Sequence, residues 1–206
     1  MTGGFHDAFV DELRDAYDAE KQLIKGLAKL AKASTSDQLR EAFEEHLEQT
    51  RGHVAKLEQV FGSIDEKVRG KHCEGIAGII KEAQSIMGED FDDQTMDASL
   101  VAAGQRSEHY EMAAYGTLAA WAKVMGHSEA ADLLDEILED EKAADEKLSA
   151  LAESGINQQA VHAAQGDGEE EDEEEQAAPP TRGRTSRSAS GSRKRSSTPR
   201  TSRKKR

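Results

Sequence analysis

The absence of proline from the first 178 residues is the feature that most constrains the fold of this chain. The three prolines stand at positions 179, 180 and 199 of 206 residues. Proline breaks helices because it lacks a backbone N–H and its ring clashes with the preceding turn. The same stretch is rich in Ala, Leu, Glu and Lys, which favour helices. The sequence therefore predicts an all-α protein with one core.

Apolar residues recur at three- and four-residue steps in four segments, which is the period of an amphipathic helix. These are helix A at about 4–32, helix B at 37–61, helix C at 95–125 and helix D at 128–153. The connection 62–95 includes a short predicted helix at 73–87. Gly126 and Gly155 are placed to end helices C and D, and Ser128 to cap helix D. Two helical hairpins with a long link predict a ferritin-like four-helix bundle with a short extra helix in the B–C crossover.

Carboxylates interrupt the apolar stripes near the middle of helices A, C and D. Glu20 lies in the stripe of helix A, Glu108 and Glu111 in that of helix C, and Glu141 in that of helix D, with Asp145 one turn on. A buried carboxylate without a partner costs several kcal/mol, so such groups are normally paired or bind a metal. A single glutamate at a core boundary is more often a solvated edge residue. Their alignment on several helices favours a shared site.

Helix B contributes histidines at the same level. His46 and His53 are seven residues apart and share a face with Thr50, although each is also compatible with an ordinary core histidine. Carboxylate oxygens with a few imidazoles suit iron or manganese better than copper or thiolate-bound zinc. The predicted ligands are Glu20, His46, His53, Glu108, Glu111, Glu141 and Asp145.

Charge divides the chain sharply. Residues 1–166 carry a net charge of −17, residues 167–175 add −8, and residues 181–206 carry +11. The last two segments are almost free of apolar residues, which predicts disorder. The predicted domains are therefore a bundle at 1–163, an acidic linker at 164–180 and a basic tail at 181–206.

The basic tail has the composition of a nucleic-acid-binding arm. It has no aromatic residue to stack on bases, so it predicts non-specific contact with DNA phosphates. Alternatively, the tail folds back on the acidic run or the bundle, because a tethered partner has a high effective concentration. The two states together would make a salt-sensitive switch. The predicted phosphate-binding residues are Arg182, Arg184, Arg187, Arg193, Lys194, Arg195, Arg200, Arg203, Lys204, Lys205 and Arg206.

Five short motifs recur at the level of the predicted ligands: YDAEKQL at 17–23, HLEQTRGH at 46–53, EHYE at 108–111, YGTL at 115–118 and EDEKAAD at 139–145. Together they resemble the motifs of the YciF/YciE-type ferritin-like stress proteins over about residues 5–160. The resemblance implies a dimeric, rubrerythrin-related bundle with a di-metal site, in which the helix B ligand is His53 and the carboxylate ligands are Glu20, Glu108, Glu111 and Glu141. This chain departs from the family pattern at Gln49, where a glutamate often precedes the threonine.

These patterns predict a stress protein with a di-iron or manganese site that oxidises Fe(II) or consumes peroxide, an oxidoreductase of the ferroxidase or peroxidase type. The alternative is a non-catalytic homodimeric bundle that presents basic arms to nucleic acid without a metal, or a ferritin-like relic that serves as a dimer scaffold. No apolar run approaches the length of a membrane span, and no secretory signal is visible. The single cysteine, Cys73, fits a reducing compartment. We therefore expect a cytoplasmic protein, nucleoid-associated if the tail binds DNA.

Overall fold

The structure is a computed structural model that describes the backbone of residues 4–176 and the side chains of residues 4–166. The part it describes contains no β-strand, which confirms the all-α prediction. Its helices are α1 (Phe5–Ala33), α2 (Asp37–Ser63), α3 (Glu74–Ile86), α4 (Asp93–Met125), α5 (Ser128–Leu151), a π-helical turn (Ala152–Ile156) and α6 (Asn157–Gln176).

The helices pair as two hairpins. Helix α1 packs on α2 and α4 packs on α5, while contacts between α2 and α5 and between α1 and α4 close the bundle. Helix α3 lies in the long crossover and packs against α4 and α1. This arrangement is the predicted ferritin-like bundle with a short extra helix in the crossover.

Local chemistry sets most helix ends. The Asp92 carboxylate caps α4 by accepting a hydrogen bond from the Thr95 backbone N–H at 2.8 Å. Gly126 ends the same helix with a left-handed φ of 82°, a conformation that suits glycine. The predicted cap of α5 is wrong, because Ser128 is the first residue inside the helix. Its N-cap is His127, whose side chain makes no capping hydrogen bond.

The chain remains helical beyond Gly155, which the sequence does not predict. The backbone leaves helical geometry at Gly155 itself, with φ 173° and ψ −34°, and then enters α6. Helix α6 therefore extends through the first part of the segment predicted as a linker, 164–180. Gln, Ala and Glu dominate this stretch and favour helices. The basic tail lies outside the described residues, and the domain boundaries at 163 and 180 stay predictions.

The core has a small apolar cluster between α1 and the start of α3 and two larger apolar clusters separated along the bundle axis. One contains Phe9, Leu13, Leu57, Phe61, Leu118 and Leu134. The other contains Leu27, Leu39, Phe43, Leu100 and Leu148. Along α1, α4 and α5, the predicted ligand positions fall between these two clusters. On α2, His53 does so, and His46 lies at the edge of the second cluster, one residue before Leu47.

The helices pack closely at Gly104, beside the polar gap between the two larger apolar clusters. A Cβ atom at this position would lie 2.9 Å from the Phe43 ring and 3.0 Å from a Leu148 methyl carbon. The absence of a side chain therefore lets α4 approach both α2 and α5 beside the polar gap.

No helix in the described part of the chain combines the length and apolar character needed to cross a membrane.

Candidate metal centre

Six of the seven predicted ligands meet in the middle of the bundle. They come from all four bundle helices, and none is more than 6% exposed. Burial on this scale is unusual for charged side chains without a partner or a metal. The six are Glu20, His46, His53, Glu108, Glu111 and Glu141.

The six side chains form two overlapping groups. In each group, one donor atom from every member lies within 4.8 Å of those of the others. Glu141 belongs to both groups, so its two oxygens can serve two neighbouring cations. We name them the His46 end, formed by His46, Glu108, Glu111 and Glu141, and the His53 end, formed by Glu20, His53 and Glu141.

At the His46 end, the imidazole directs Nε2 inward. This atom lies 3.1 Å from Oε2 of Glu108 and 3.4 Å from Oε2 of Glu141. The other ring nitrogen, Nδ1, lies 3.1 Å from the amide oxygen of Gln49. An Nδ1–H that donates to this oxygen leaves Nε2 as a free electron-pair donor toward the centre.

At the His53 end, the imidazole is turned the other way. Nδ1 lies 3.0 Å from Oε1 of Glu141 and 3.4 Å from Oε1 of Glu20. The outward nitrogen, Nε2, lies 3.2 Å from Oδ2 of Asp140, and Lys56 donates a hydrogen bond to that same oxygen at 3.1 Å. A carboxylate behind a ligating histidine fixes its tautomer and makes it more basic.

Most polar atoms that face the centre have no hydrogen-bond partner. Glu20 is the partial exception, because one of its oxygens accepts a hydrogen bond from the Tyr115 hydroxyl. The inward imidazole nitrogens lie at ion-pair distances from the carboxylates but lack hydrogen-bond geometry. Buried polar atoms are rarely left unpaired in folded proteins, so this donor set fits a hard divalent cation. The unpartnered atoms are both carboxylate oxygens of Glu108 and Glu141, Oε1 of Glu111, Oε2 of Glu20 and Nδ1 of His53.

Without a cation the cluster retains protons. Burial by itself lowers the pKa of both imidazoles, but the carboxylates that face them outweigh it. Glu108 and Glu141 raise the pKa of His46 to about 9, and Glu141 and Glu20 raise the pKa of His53 to about 10. A bound cation would displace these protons, so binding should release them. The carboxyls whose pKa is raised, chiefly by burial, are Glu20, Glu111 and Glu141.

The seventh predicted ligand, Asp145, lies outside both groups. Its Oδ1 accepts a hydrogen bond from the Gln105 amide at 3.1 Å and lies 3.3 Å from Nε2 of the exposed His109. The sequence analysis missed Asp140, which stands next to Glu141 but off the apolar stripe. Its proximity to a histidine on another helix leaves no signal in the sequence.

Cys73, the single cysteine, is fully buried. Its sulfur lies 3.2 Å from the Tyr110 hydroxyl and caps the start of α3. It belongs to neither group of candidate ligands.

Comparisons with known proteins agree with this architecture. Residues 4–161 match a family model described as a domain of unknown function, DUF892. The chain is 43% identical to Protein YciF of Escherichia coli (strain K12) over 159 residues, which cover 77% of this chain and 96% of that protein. The crystal structure of this E. coli stress protein superposes with a TM-score of 0.73 and covers 76% of this chain and 99% of that one.

Two further structures are similar. YcfI from Rhodopseudomonas palustris is 41% identical with a TM-score of 0.70, covering 71% of this chain and 94% of that one. A protein from Xanthomonas campestris is 21% identical with a TM-score of 0.63, covering 79% of this chain and 99% of that one. At this identity the last similarity shows the fold alone.

Proposed function

The chain belongs to the DUF892 family of YciF-like stress proteins, and we propose from this premise that its bundle holds two iron or manganese ions and acts as an oxidoreductase on Fe(II) or peroxide. One ion is held at the His46 end and the other at the His53 end. Glu141 is the shared ligand, and Glu111 supplies a further carboxylate at the His46 end. Asp145 is not part of the proposed ligand set.

The observation that carries this proposal is the set of unpartnered donor atoms. Four buried glutamates from three helices together present six carboxylate oxygens that have no hydrogen-bond partner. Such an arrangement costs stability unless a cation is bound, because like charges in a buried site repel and lack solvent. Proteins tolerate strained or unpaired groups of this kind mainly at functional sites.

Two adjacent redox-active ions supply one-electron steps and a Lewis-acid clamp for a small oxidant. Conversion of one hydrogen peroxide to two waters takes two electrons, from two Fe(II) substrates, and two protons. The residues around the centre hold its ligands. The Tyr115 hydroxyl donates to Glu20, and Asp140 and Gln49 each accept from the outward nitrogen of one histidine.

Metal counting tests the proposal. Protein loaded anaerobically with Fe(II) and passed through a desalting column should retain about two iron ions per chain. The double variant Glu20→Gln/Glu141→Gln keeps the side-chain shapes but removes the ligand that both ends share and a second ligand of the His53 end, and should retain almost none. Asp145→Asn is the matched control and should bind as much as wild type. An empty wild-type protein would reject the metal site.

The reaction is then assigned by its oxidant. Iron-loaded protein is mixed with either dioxygen or hydrogen peroxide, and Fe(III) formation is followed by absorbance. A fast reaction with peroxide alone indicates a peroxidase, and a fast reaction with dioxygen indicates a ferroxidase. Bound metal with neither reaction would leave the structural alternative, a dimeric scaffold.

We further propose that the basic tail binds DNA through phosphate contacts. Eleven Lys or Arg residues among the 26 residues at 181–206, with no acid, support this proposal. A gel shift should show retardation by the full chain that weakens steeply with salt, and no retardation by a 1–180 truncation that retains the acidic run. Equal retardation by both proteins would show that the tail is not what binds DNA.

A further inference from the structure

A pocket lies between α2 and α5 against the His46 end. Its volume is about 160 Å³, and its lining includes His46, Gln49 and Glu108. A water molecule takes up about 30 Å³ in the liquid, so the space exceeds what a few small molecules need. Two of the six candidate ligands, His46 and Glu108, thus border this pocket.

The walls of the pocket are mostly apolar. Phe43 lies on the α2 side, and Ala143, Ala144 and Leu148 lie on the α5 side. Small alanine side chains on α5 leave the space open, since a larger residue at either position would project into it. A hydrated cation would lose water against these walls without gaining ligands, which costs free energy.

An ion pair stands at the rim. Lys147 on α5 donates a hydrogen bond to the Glu45 carboxylate on α2, and both side chains are about half exposed. The pair joins the two helices across the pocket and contributes no net charge. The two charges at the rim therefore offset each other and by themselves favour neither an anion nor a cation.

At the His53 end, charged side chains stand outside the imidazole. The outward nitrogen of His53 faces Asp140, and Lys56 covers that carboxylate. The open surface beyond Lys56 is lined by acidic residues, Asp132, Asp135, Glu136 and Glu139 among them, and its lining includes none of the six candidate ligands. The pocket at the His46 end is thus a mostly apolar route to the centre, whereas the surface outside the His53 end is acidic.

We propose that the pocket between α2 and α5 binds a small uncharged oxidant, hydrogen peroxide or dioxygen, against the His46 end. The His53 end is the closed one, which holds its ion without access for the oxidant. The Gln49 amide and the imidazole of His46 form the polar floor, and the alanines of α5 set the size limit. This inference rests on the proposed di-metal function and assigns the position at which that function meets its substrate.

Nitric oxide is a suitable probe because it is small, uncharged and gives an EPR signal with Fe(II). Anaerobic, iron-loaded full-length protein should bind it at about one of the two ions per chain. Ala144→Leu fills the pocket, and its affinity for nitric oxide should fall about tenfold or more because the added atoms occupy the space. Ala143→Leu tests the same wall from a more exposed position, where a larger residue is less able to disturb folding. Ala150→Leu, exposed on the same helix, should bind like wild type.

Iron content, measured on the same samples, separates the two hypotheses. Full iron content with unchanged nitric oxide binding in both pocket variants would overturn the pocket and leave the metal site standing. An iron-free wild type would reject the proposed function together with this inference.

Single-turnover oxidation of bound Fe(II) separates the two oxidants. Slowing of about tenfold with peroxide alone, or with dioxygen alone, in Ala144→Leu identifies which one uses the pocket. Unchanged rates with both oxidants, at full iron content, would also overturn the proposed role of the pocket.

Discussion

The His46 end and the His53 end are built from the same residue types but differ in their surroundings. His46 presents Nε2 inward, with the neutral Gln49 amide behind it and a pocket beside it. His53 presents Nδ1 inward, with the charged Asp140 behind it. A histidine backed by a carboxylate is the more basic ligand. We therefore expect the His53 end to bind its ion more tightly and the His46 end to exchange ligands.

The largest expected effect comes from removing one ligand from either end alone. Glu108→Gln removes a carboxylate of the His46 end, and Glu20→Gln removes one of the His53 end. Each variant should retain about one iron ion per chain instead of about two, because the other end keeps its own ligands and Glu141. Metal analysis after desalting measures this. Loss of both ions in each single variant would show that the two ends bind only as a unit.

Asp140→Asn tests the support behind His53. It replaces the charged acceptor by an amide, and metal affinity at the His53 end should fall about 10- to 100-fold. Competition with a chelator of known affinity measures the change. The substitution should leave the metal affinity of the weaker His46 end nearly unchanged. Glu139→Gln, the neighbouring acid, is the control. Equal weakening in both variants would mean that general negative charge matters, rather than the contact with His53.

The pH dependence of the stability of the metal-free protein tests a feature that both ends share, the raised pKa of their buried groups. A group whose pKa is raised on folding stabilises the protein below its unfolded pKa and loses this contribution as pH rises through the folded value. For His46 and His53 the loss runs from about pH 6.5 to about 9 and about 10. The raised carboxyl pKa values, such as that of Glu111, act in the same direction above about pH 4.3.

The thermal midpoint of the metal-free protein should therefore fall as pH rises from 6 to 10, and saturating manganese should flatten the curve. Asp140 does not offset the trend, because its pKa is lowered and its contribution is complete above about pH 4. Glu111→Gln should raise the stability of the metal-free protein at pH 8 by about 1–3 kcal/mol, since it removes a buried carboxyl whose raised pKa costs stability at that pH. A midpoint that rises with pH would contradict this account.

The smallest expected effect is that of Gln49→Glu, which gives His46 the kind of partner that His53 has. A carboxylate at this position should raise the metal affinity of the His46 end by a few-fold, about the lower end of the range seen for such partners. Gln49→Ala should lower it slightly. Metal titration of both variants would show whether the two ends become more alike, and a weaker site in Gln49→Glu would indicate that added negative charge outweighs the hydrogen bond.

Much of the fold and all six of the residues that meet at the centre follow from local pattern. Glu20, for example, lies in the stripe of its own helix, and a 3.6-residue period is enough to place it inward. The same reasoning fails for Asp145, one turn after Glu141. Such an edge residue faces the core or the surface according to how its helix is rotated against its neighbours, and here it contacts Gln105. Helix α6 was missed because its charged composition favours both disorder and helix formation.

The helix lengths, the crossover and the positions of the carboxylates near the middle of their helices could thus be predicted from the sequence, because each depends on residues within a few turns of one helix. The sharing of Glu141, the opposite orientations of the two imidazoles and the pocket at one end were decided by packing. Each of them joins side chains from different helices, such as His53 and Asp140, which stand 87 residues apart. Such contacts depend on helix rotation and rotamers, and no periodicity in the sequence records them.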